Sequence, residues 1–326
     1  ALQYRGTSLA PSERLGELQD IADRYEDDGP ALLPVYEELA EYVLRDVPAV
    51  GLVNPLGGEL DLRPGVADDE VVFARDLDAF TLEELRRYEL IVTRRDPAAS
   101  RPPSDFALEA QTAHYAVWER RAVPPLVVLH QPLGPGFGER TAAVCEEVER
   151  RLRELGTRGR MVYASAPDGR EFTASQASPQ WAPGDGSFWL GRGPGRLTYE
   201  VSVPEAGSYG VWLRGSFGRE VQVLVDGRSV GSLRWRGNYP EQAEPVATLE
   251  LAAGEHSIDV VRGGGSLLAG TGNELGGEGT TTRVGPILLA PTGPPAPVRT
   301  ATAAQAGELC AGDEPWDWVE VVAPQR

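Results

Sequence analysis

Between about residue 166 and residue 290 the sequence sustains no helical period, and this constrains the fold more than any other feature. Short alternating runs are parted by glycine and proline: "SFWLGRG", "RLTYEVSVPEAGSYGVWLRGSF", "REVQVLVDGRSVGSLRWRG", "VATLELAAGEHSIDVVRGG" and "TRVGPILLAP". Successive side chains on a strand point to opposite faces, so each run has one apolar face that must be covered by another sheet. The pattern predicts an antiparallel β-sandwich of jelly-roll type over 166–290.

The first half reads differently. "PSERLGELQDIADRY" (11–25) sets Leu15, Leu18, Ile21 and Ala22 at helical spacing, and "YEELAEYVLRD" (36–46) repeats the pattern. "TLEELRRYELIVTRR" (81–95) opens with a capping box, Thr81 to Glu84, and runs into a strand. "FALEAQTAHYAVWERR" (106–121) reads as a hairpin and "PPLVVLHQP" (124–132) as a buried strand. "ERTAAVCEEVERRLREL" (139–155) is an amphipathic helix with Val144, Val148, Leu152 and Leu155 on one face, and "RMVYASA" (160–166) a last strand. Residues 1–165 are therefore expected to form an α/β domain with a mixed sheet, making the whole an α+β multidomain chain. "APTGPPAPVRTATAAQAG" (290–307) reads as an extended, weakly structured connector. The end, "ELCAGDEPWDWVEVV", is too apolar for a free tail, so 291–326 is expected to dock on the N-terminal domain.

Charge narrows the function classes. A net charge of −18 over 326 residues argues against nucleic acid or an anionic membrane as partner, since both need a basic face. Every side-chain cation apart from histidine is arginine, which removes Schiff-base lysine, P-loop lysine and Ser-Lys chemistry. No run approaches the ~20 apolar residues of a membrane span. The chain begins at Ala1 and has its one methionine at 161, which suggests a piece of a longer protein whose membrane-spanning segment lies elsewhere.

Gly227, Ser229 and Gly231 spell G-x-S-x-G, the pattern of a nucleophile elbow. An elbow needs a strand before the serine and a helix after it. Here strand-like "VQVLV" precedes, strand-like "SLRWR" follows, and Asp226-Gly227 between them is a type I′ hairpin signal. The expectation is a turn, with no catalytic residue. His114, His130 and His256 lie in separate segments and form no metal or catalytic motif; His256 reads as part of an edge-like strand. Gly134, Gly136 and Gly138 beside Arg140 form a Gly-rich loop between strand and helix, and an enzyme using this loop for a nucleotide or sugar phosphate is one alternative. A plain connection is the other.

Cys145 and Cys310 are the two cysteines. They are either unrelated small core residues or one disulfide fastening the tail to the first domain, and the tail otherwise has no reason for its cysteine. A disulfide would imply an oxidising, extracytoplasmic setting.

Sugar sites combine an aromatic face for C–H bonds with polar groups for hydroxyls. Trp235, Asn238 and Tyr239 in "LRWRGNYPEQ" offer both, and Trp181 in "SPQWAPGDG" is a second loop aromatic. The long polar loop "AGTGNELGGEGTTTRVG" (269–285) adds Asn273, Glu274 and Arg283. Trp212 and Trp189 are expected in the core. A Ca²⁺ ion held by carboxylates such as Asp185 or Glu171 is a further expectation, resting on their abundance alone.

"GSYGVWLRGSFGREVQVLVDGRSVG" and "LELAAGEHSIDVVRGG" resemble the jelly-roll carbohydrate-binding modules of galactose-binding-like fold, through a Y-x-V-W-x strand, a V-D-G hairpin and an L-x-x-G-x-H strand. These are framework signatures, and no ligand residue carries over by motif. The whole chain, including "RRYELIVTRRDPAASRPPSDF" and "LCAGDEPWDWVEVV", is similar to the extracytoplasmic C-terminal regions of actinobacterial polytopic membrane proteins of glycosyltransferase type. The resemblance implies a non-catalytic region that binds a cell-envelope polysaccharide for an attached membrane enzyme. The alternative is a structural or protein-interaction module whose tryptophans are core.

Overall fold

The computed structural model describes residues 12–37, 39–48, 51–52, 60–66, 73–137, 142–217, 220–234, 239–263 and 282–324. The chain forms two compact units. Among the described residues, one holds 169–293 with 12–17, 37 and 39; the other holds 18–36, 40–168 and 294–324.

The second of these begins with a mixed sheet. Among the described residues its strands are β1 (Ala31–Leu33), β2 (Gly51–Leu52), β3 (Leu90–Arg94), β4 (Phe106–Gln111) and β5 (Tyr115–Arg120), in the order β2-β1-β3-β5-β4. β1 pairs parallel to β2 and β3, whereas β3, β5 and β4 run antiparallel. The helix α1 (Ser12–Arg24) matches its periodicity, but 36–46 supplies only one turn, α2 (Ala40–Val43). Another single turn, α3 (Leu82–Leu85), is capped by the Thr81 hydroxyl, which accepts from the Glu84 amide. The other half of that capping box is missing. The Thr81 amide donates to the Asp61 carbonyl, while buried Glu84 accepts from Tyr88 Oη, Arg87 and the Asp61 amide.

The strands β6 (Leu126–Pro132) and β7 (Arg160–Ser165) do not extend this sheet, contrary to a one-sheet reading of the first half. They join a separate antiparallel sheet with the C-terminal segment. β6 is its edge, with Leu126 and Val128 exposed, so it is not the buried strand its apolar run suggests. Between them lies α4 (Ala142–Leu155), burying Val144, Val148 and Leu152 and carrying Glu147, Arg150, Arg151 and Glu154 ion pairs on its outer side.

The sandwich follows. One layer has β10 (Trp181–Pro183), β11 (Trp189–Gly191), β18 (Thr282–Pro291), β13 (Gly207–Ser216) and β16 (Ala243–Leu251) in that order, with β8 (Arg170–Phe172) also on β18. The other is β15 (Arg228–Leu233), β14 (Val221–Val225), β17 (Gly254–Arg262), β12 (Gly195–Val203) and β9 (Gln176–Ala177). The pairings of both layers are antiparallel. Alternation does what the sequence pattern requires: Leu197, Tyr199, Val201 and Val203 of β12 point inward, as do Val221, Val223 and Val225 of β14. They meet Val211, Leu213, Ile287 and Leu289 of the facing layer. Tyr199 Oη donates to the Gly285 carbonyl at 2.8 Å, a polar tie across the layers, and burial raises its phenol pKa. A buried ion group fixes 12–17 to the sandwich, with Arg14 bound to Glu244 of β16 and to Glu37, each at 3.1 Å.

The C-terminal tail returns to the first domain. β19 (Arg299–Thr302) pairs with β7, and β20 (Trp316–Ala323) inserts between β7 and β6, giving the order β19-β7-β20-β6. The segment expected to be a weakly structured connector therefore contains β19 and the start of α5 (Ala303–Ala311). The cause is local: Thr302 and Gln305 form a complete capping box ahead of an Ala-rich run. Cys145 of α4 and Cys310 of α5 are joined by a disulfide, Cα to Cα 5.8 Å, at the margin of a core with Val148, Leu152, Met161, Trp316 and Val321.

Candidate functional site

The serine motif rounds a hairpin. β14 and β15 pair directly, Val225 opposite Arg228, with Asp226 and Gly227 both at positive φ, 50° and 76°. Two consecutive positive φ values define the type I′ turn that matches strand twist. Ser229 is followed by strand, not helix. His256 lies on β17, between β14 and β12, so its strand is central and not an edge. Its Nδ1 is 2.7 Å from Asp226 Oδ2 and its Nε2 is 2.9 Å from the Ala252 carbonyl. Both partners only accept, so the two contacts are satisfied together by the doubly protonated imidazolium. The Asp226 hydrogen bond raises the His256 pKa and lowers that of Asp226.

Ser104 and His130 form no relay. Ser104 Oγ and His130 Nδ1 both bond to buried Glu320, on its Oε2 and Oε1, so the carboxylate stands between serine and histidine. A nucleophile–base relay needs the histidine in the middle. The Gly-rich loop is also occupied by the protein itself. The Gly134 amide donates to Asp78 Oδ2 at 2.6 Å and the Gly136 amide to the Ala98 carbonyl at 2.7 Å. Those two amides are therefore not open to a phosphate; Gly138 and Arg140 lie outside the described residues.

The expected sugar shelf does not form around Trp181. This side chain is 4% exposed and belongs to the sandwich core. Gly191 and Gly195 make room for it: a Cβ on either would come within 2.9 Å and 2.8 Å of the indole. Trp181 is thus a core residue, packed by glycines that the turn-rich flank of its sequence conceals. Trp212 is buried, and Trp189 is half-buried against the core, as expected of both. Tyr239 is half-buried, its amide donating to Gln242 Oε1 at 3.0 Å. Trp235, Asn238, Asn273 and Glu274 lie outside the described residues.

A different group converges at the β10–β11 end. The turn 184–188 closes through a hydrogen bond from the Gly184 amide to the Phe188 carbonyl at 2.8 Å. The Phe188 ring rests on Gly285, where a Cβ would sit 2.6 Å from it. Leu190 lies opposite Arg283 in the β11–β18 ladder, so alternation puts Phe188, Leu190, Arg283 and Gly285 on one face. The Arg283 guanidinium carbon is 5.5 Å from the Phe188 centroid, a cation–π distance. Among the described residues its acidic neighbour is Asp185, whose Oδ2 stands 3.9 Å away, beyond hydrogen-bond reach, and its buried Nε donates to nothing. The Asp185 side chain is fully exposed. An aromatic ring, an arginine and an exposed carboxylate thus stand together. Phe188 is not legible as a site residue in the sequence, because a single phenylalanine before a Trp-Leu run carries no sign of which way its face turns. Arg283 and Asp185 are legible as polar loop residues, but their meeting across the β11–β18 ladder is not.

Asp185 and Glu171 are the carboxylates expected to hold Ca²⁺. Among the described residues no group of three or more His, Cys, Asp or Glu is placed to hold an ion. No described helix is long and apolar enough to cross a membrane.

No protein-family model matches the chain, and no curated protein matches it. Solved structures that are similar include the CBM36-1 domain of a multidomain xylanase from the hindgut metagenome of Trinervitermes trinervoides, at 12% identity and TM-score 0.29, covering 39% of this chain and 100% of that one. A family 35 carbohydrate-binding module from Clostridium thermocellum has 17% identity and TM-score 0.25, covering 40% of this chain and 98% of that one. The Podospora anserina GH26-CBM35 β-(1,4)-mannanase has 17% identity and TM-score 0.26, covering 43% of this chain and 29% of the mannanase.

Proposed function

We propose that the sandwich binds carbohydrate at the Asp185–Phe188–Arg283 face, and that the chain is a non-catalytic, extracytoplasmic region attached to a membrane-embedded enzyme of the cell envelope. The observation that carries the sugar reading is the Arg283 guanidinium, set over an aromatic ring with the exposed Asp185 carboxylate beside it. A sugar presents an apolar C–H face and a rim of hydroxyls, which this combination complements. The charge of −18 favours a neutral glycan over a polyanionic one. The Cys145–Cys310 disulfide supports an oxidising compartment.

Titration calorimetry against cell-envelope polysaccharides is the test. Binding by the wild-type chain with a ten- to hundred-fold loss in R283Q is expected, the range of ~1.5–3 kcal/mol for hydrogen bonds from a charged donor. Binding that survives both R283Q and F188A would move the site elsewhere. A second reading, a structural or protein-interaction module, is favoured by the burial of Trp181 and Trp212. It becomes the better account if no polysaccharide binds.

A further inference from the structure

The second unit contains a group of carboxylates that neither the sugar reading nor the histidines explain. Asp76 caps a short 3-10 turn and spends both oxygens on backbone: Oδ1 accepts from the Asp78 amide at 3.0 Å and Oδ2 from the Ser100 amide at 2.9 Å. Asp317 of β20 is 2% exposed and accepts from the Arg101 amide at 2.9 Å and from Arg101 Nε at 3.2 Å. The rest of the Arg101 guanidinium is committed to the Ala296 and Ser165 carbonyls. Asp78 completes the group. Its one strong contact is the Gly134 amide at 2.6 Å, and no cation among the described residues pairs with its carboxyl. Arg63 reaches only the Asp78 backbone carbonyl, at 3.3 Å. Ser100 is 5% exposed, and its hydroxyl has no hydrogen-bond partner among the described residues.

Three acidic side chains thus gather where the 96–105 loop after β3, the turn after β6 and the strand β20 meet, and Arg101 is bonded to Asp317 alone among them. We propose that Asp76, Asp78, Asp317 and Arg101 form a proton-dependent latch, closed while the Asp78 carboxyl is neutral and weakened when it loses its proton. A neutral Asp78 keeps the Gly134 hydrogen bond on one oxygen and can bond Ser100 with the other. Loss of the proton to solvent leaves three carboxylates together while the one guanidinium stays on Asp317, and the repulsion falls on the Gly134 turn and on β20. Burial, followed by the Asp76 and Asp317 charges, raises the Asp78 pKa to about 8, and burial raises that of Asp317 to about 6. An acid that holds its proton more tightly in the folded state than in the unfolded one, where it titrates near ~3.9, makes stability fall as pH rises between those two values.

The test is equilibrium unfolding of the full chain from pH 5 to 9, followed by fluorescence of Trp316 and Trp318, which flank Asp317. Wild type and D78N are compared in an H256Q background, which removes the sandwich histidine from the same window. Expected is a folding constant for the second unit that falls by up to about tenfold per pH unit from 6 to 8, and a D78N profile without that fall. Equal slopes in the two proteins would overturn the latch. Should D78N fold poorly, carboxyl ¹³C titration of Asp78 in the wild-type chain decides. An inflection near or above neutrality supports the proposal, and one in the ordinary carboxylate range sinks it.

Discussion

Replacing Cys145 and Cys310 together with alanine should cost the second unit about 5 kcal/mol, nearly all of it through the unfolded chain. The disulfide spans 165 positions. In the chain-entropy description a 100-residue loop contributes about 4.7 kcal/mol, and the logarithmic dependence raises this to about 5 kcal/mol for the present span. The folded state itself gives up little. Cys145 sits at the edge of the Val148–Leu152–Met161 cluster and Cys310 is only partly buried, so removing two sulfur atoms adds about 1 kcal/mol at most. The strand the tail carries is central, since β20 lies between β7 and β6, so tail release and unfolding of that sheet are one event. The assay is guanidinium unfolding of wild type, reduced wild type and C145A/C310A. With an m-value of about 4 kcal/mol per M, the midpoint should drop by ~1.2 M in both altered forms. Unchanged midpoints for the second unit would refute the reasoning, because they would mean that the denatured chain keeps α4 and α5 together without the bond.

Two further perturbations address the sandwich. His256 has its pKa raised chiefly by Asp226, so its contribution is fully present below the unfolded value near ~6.5 and is lost as pH rises through the folded one. H256Q should remove that slope; because Asp226 is half exposed the effect should stay below about 1 kcal/mol, and an NMR titration placing His256 below ~6.5 would contradict the imidazolium assignment. Trp181→Ala should destabilise the sandwich by about 3–5 kcal/mol through the cavity it leaves, and Gly195→Ala should destabilise it by overpacking. A thermal melt showing wild-type stability for both variants would return Trp181 to the surface.

Much of the architecture follows from local signals. The sandwich strands are legible because alternation at Leu197, Tyr199, Val201 and Val203 is a property of one segment, and the Asp226-Gly227 turn because positive φ is a demand on two adjacent residues. The amphipathic α4 and the docking of an apolar tail are readable for the same reason. Residues remote in sequence decided the rest. Trp181 is core because Gly191 and Gly195 clear its space. β6 and β7 leave the mixed sheet because β20, drawn from the far end of the chain, fills the ladder between them. The Gly-rich loop is closed by Asp78, whose own environment is set in part by Asp317. Periodicity and turn chemistry act within a few residues and so survive in the linear text. Which apolar side chain is covered, and which carboxyl lacks a cation, depend on what the folded chain brings alongside, and only the tertiary structure supplies that.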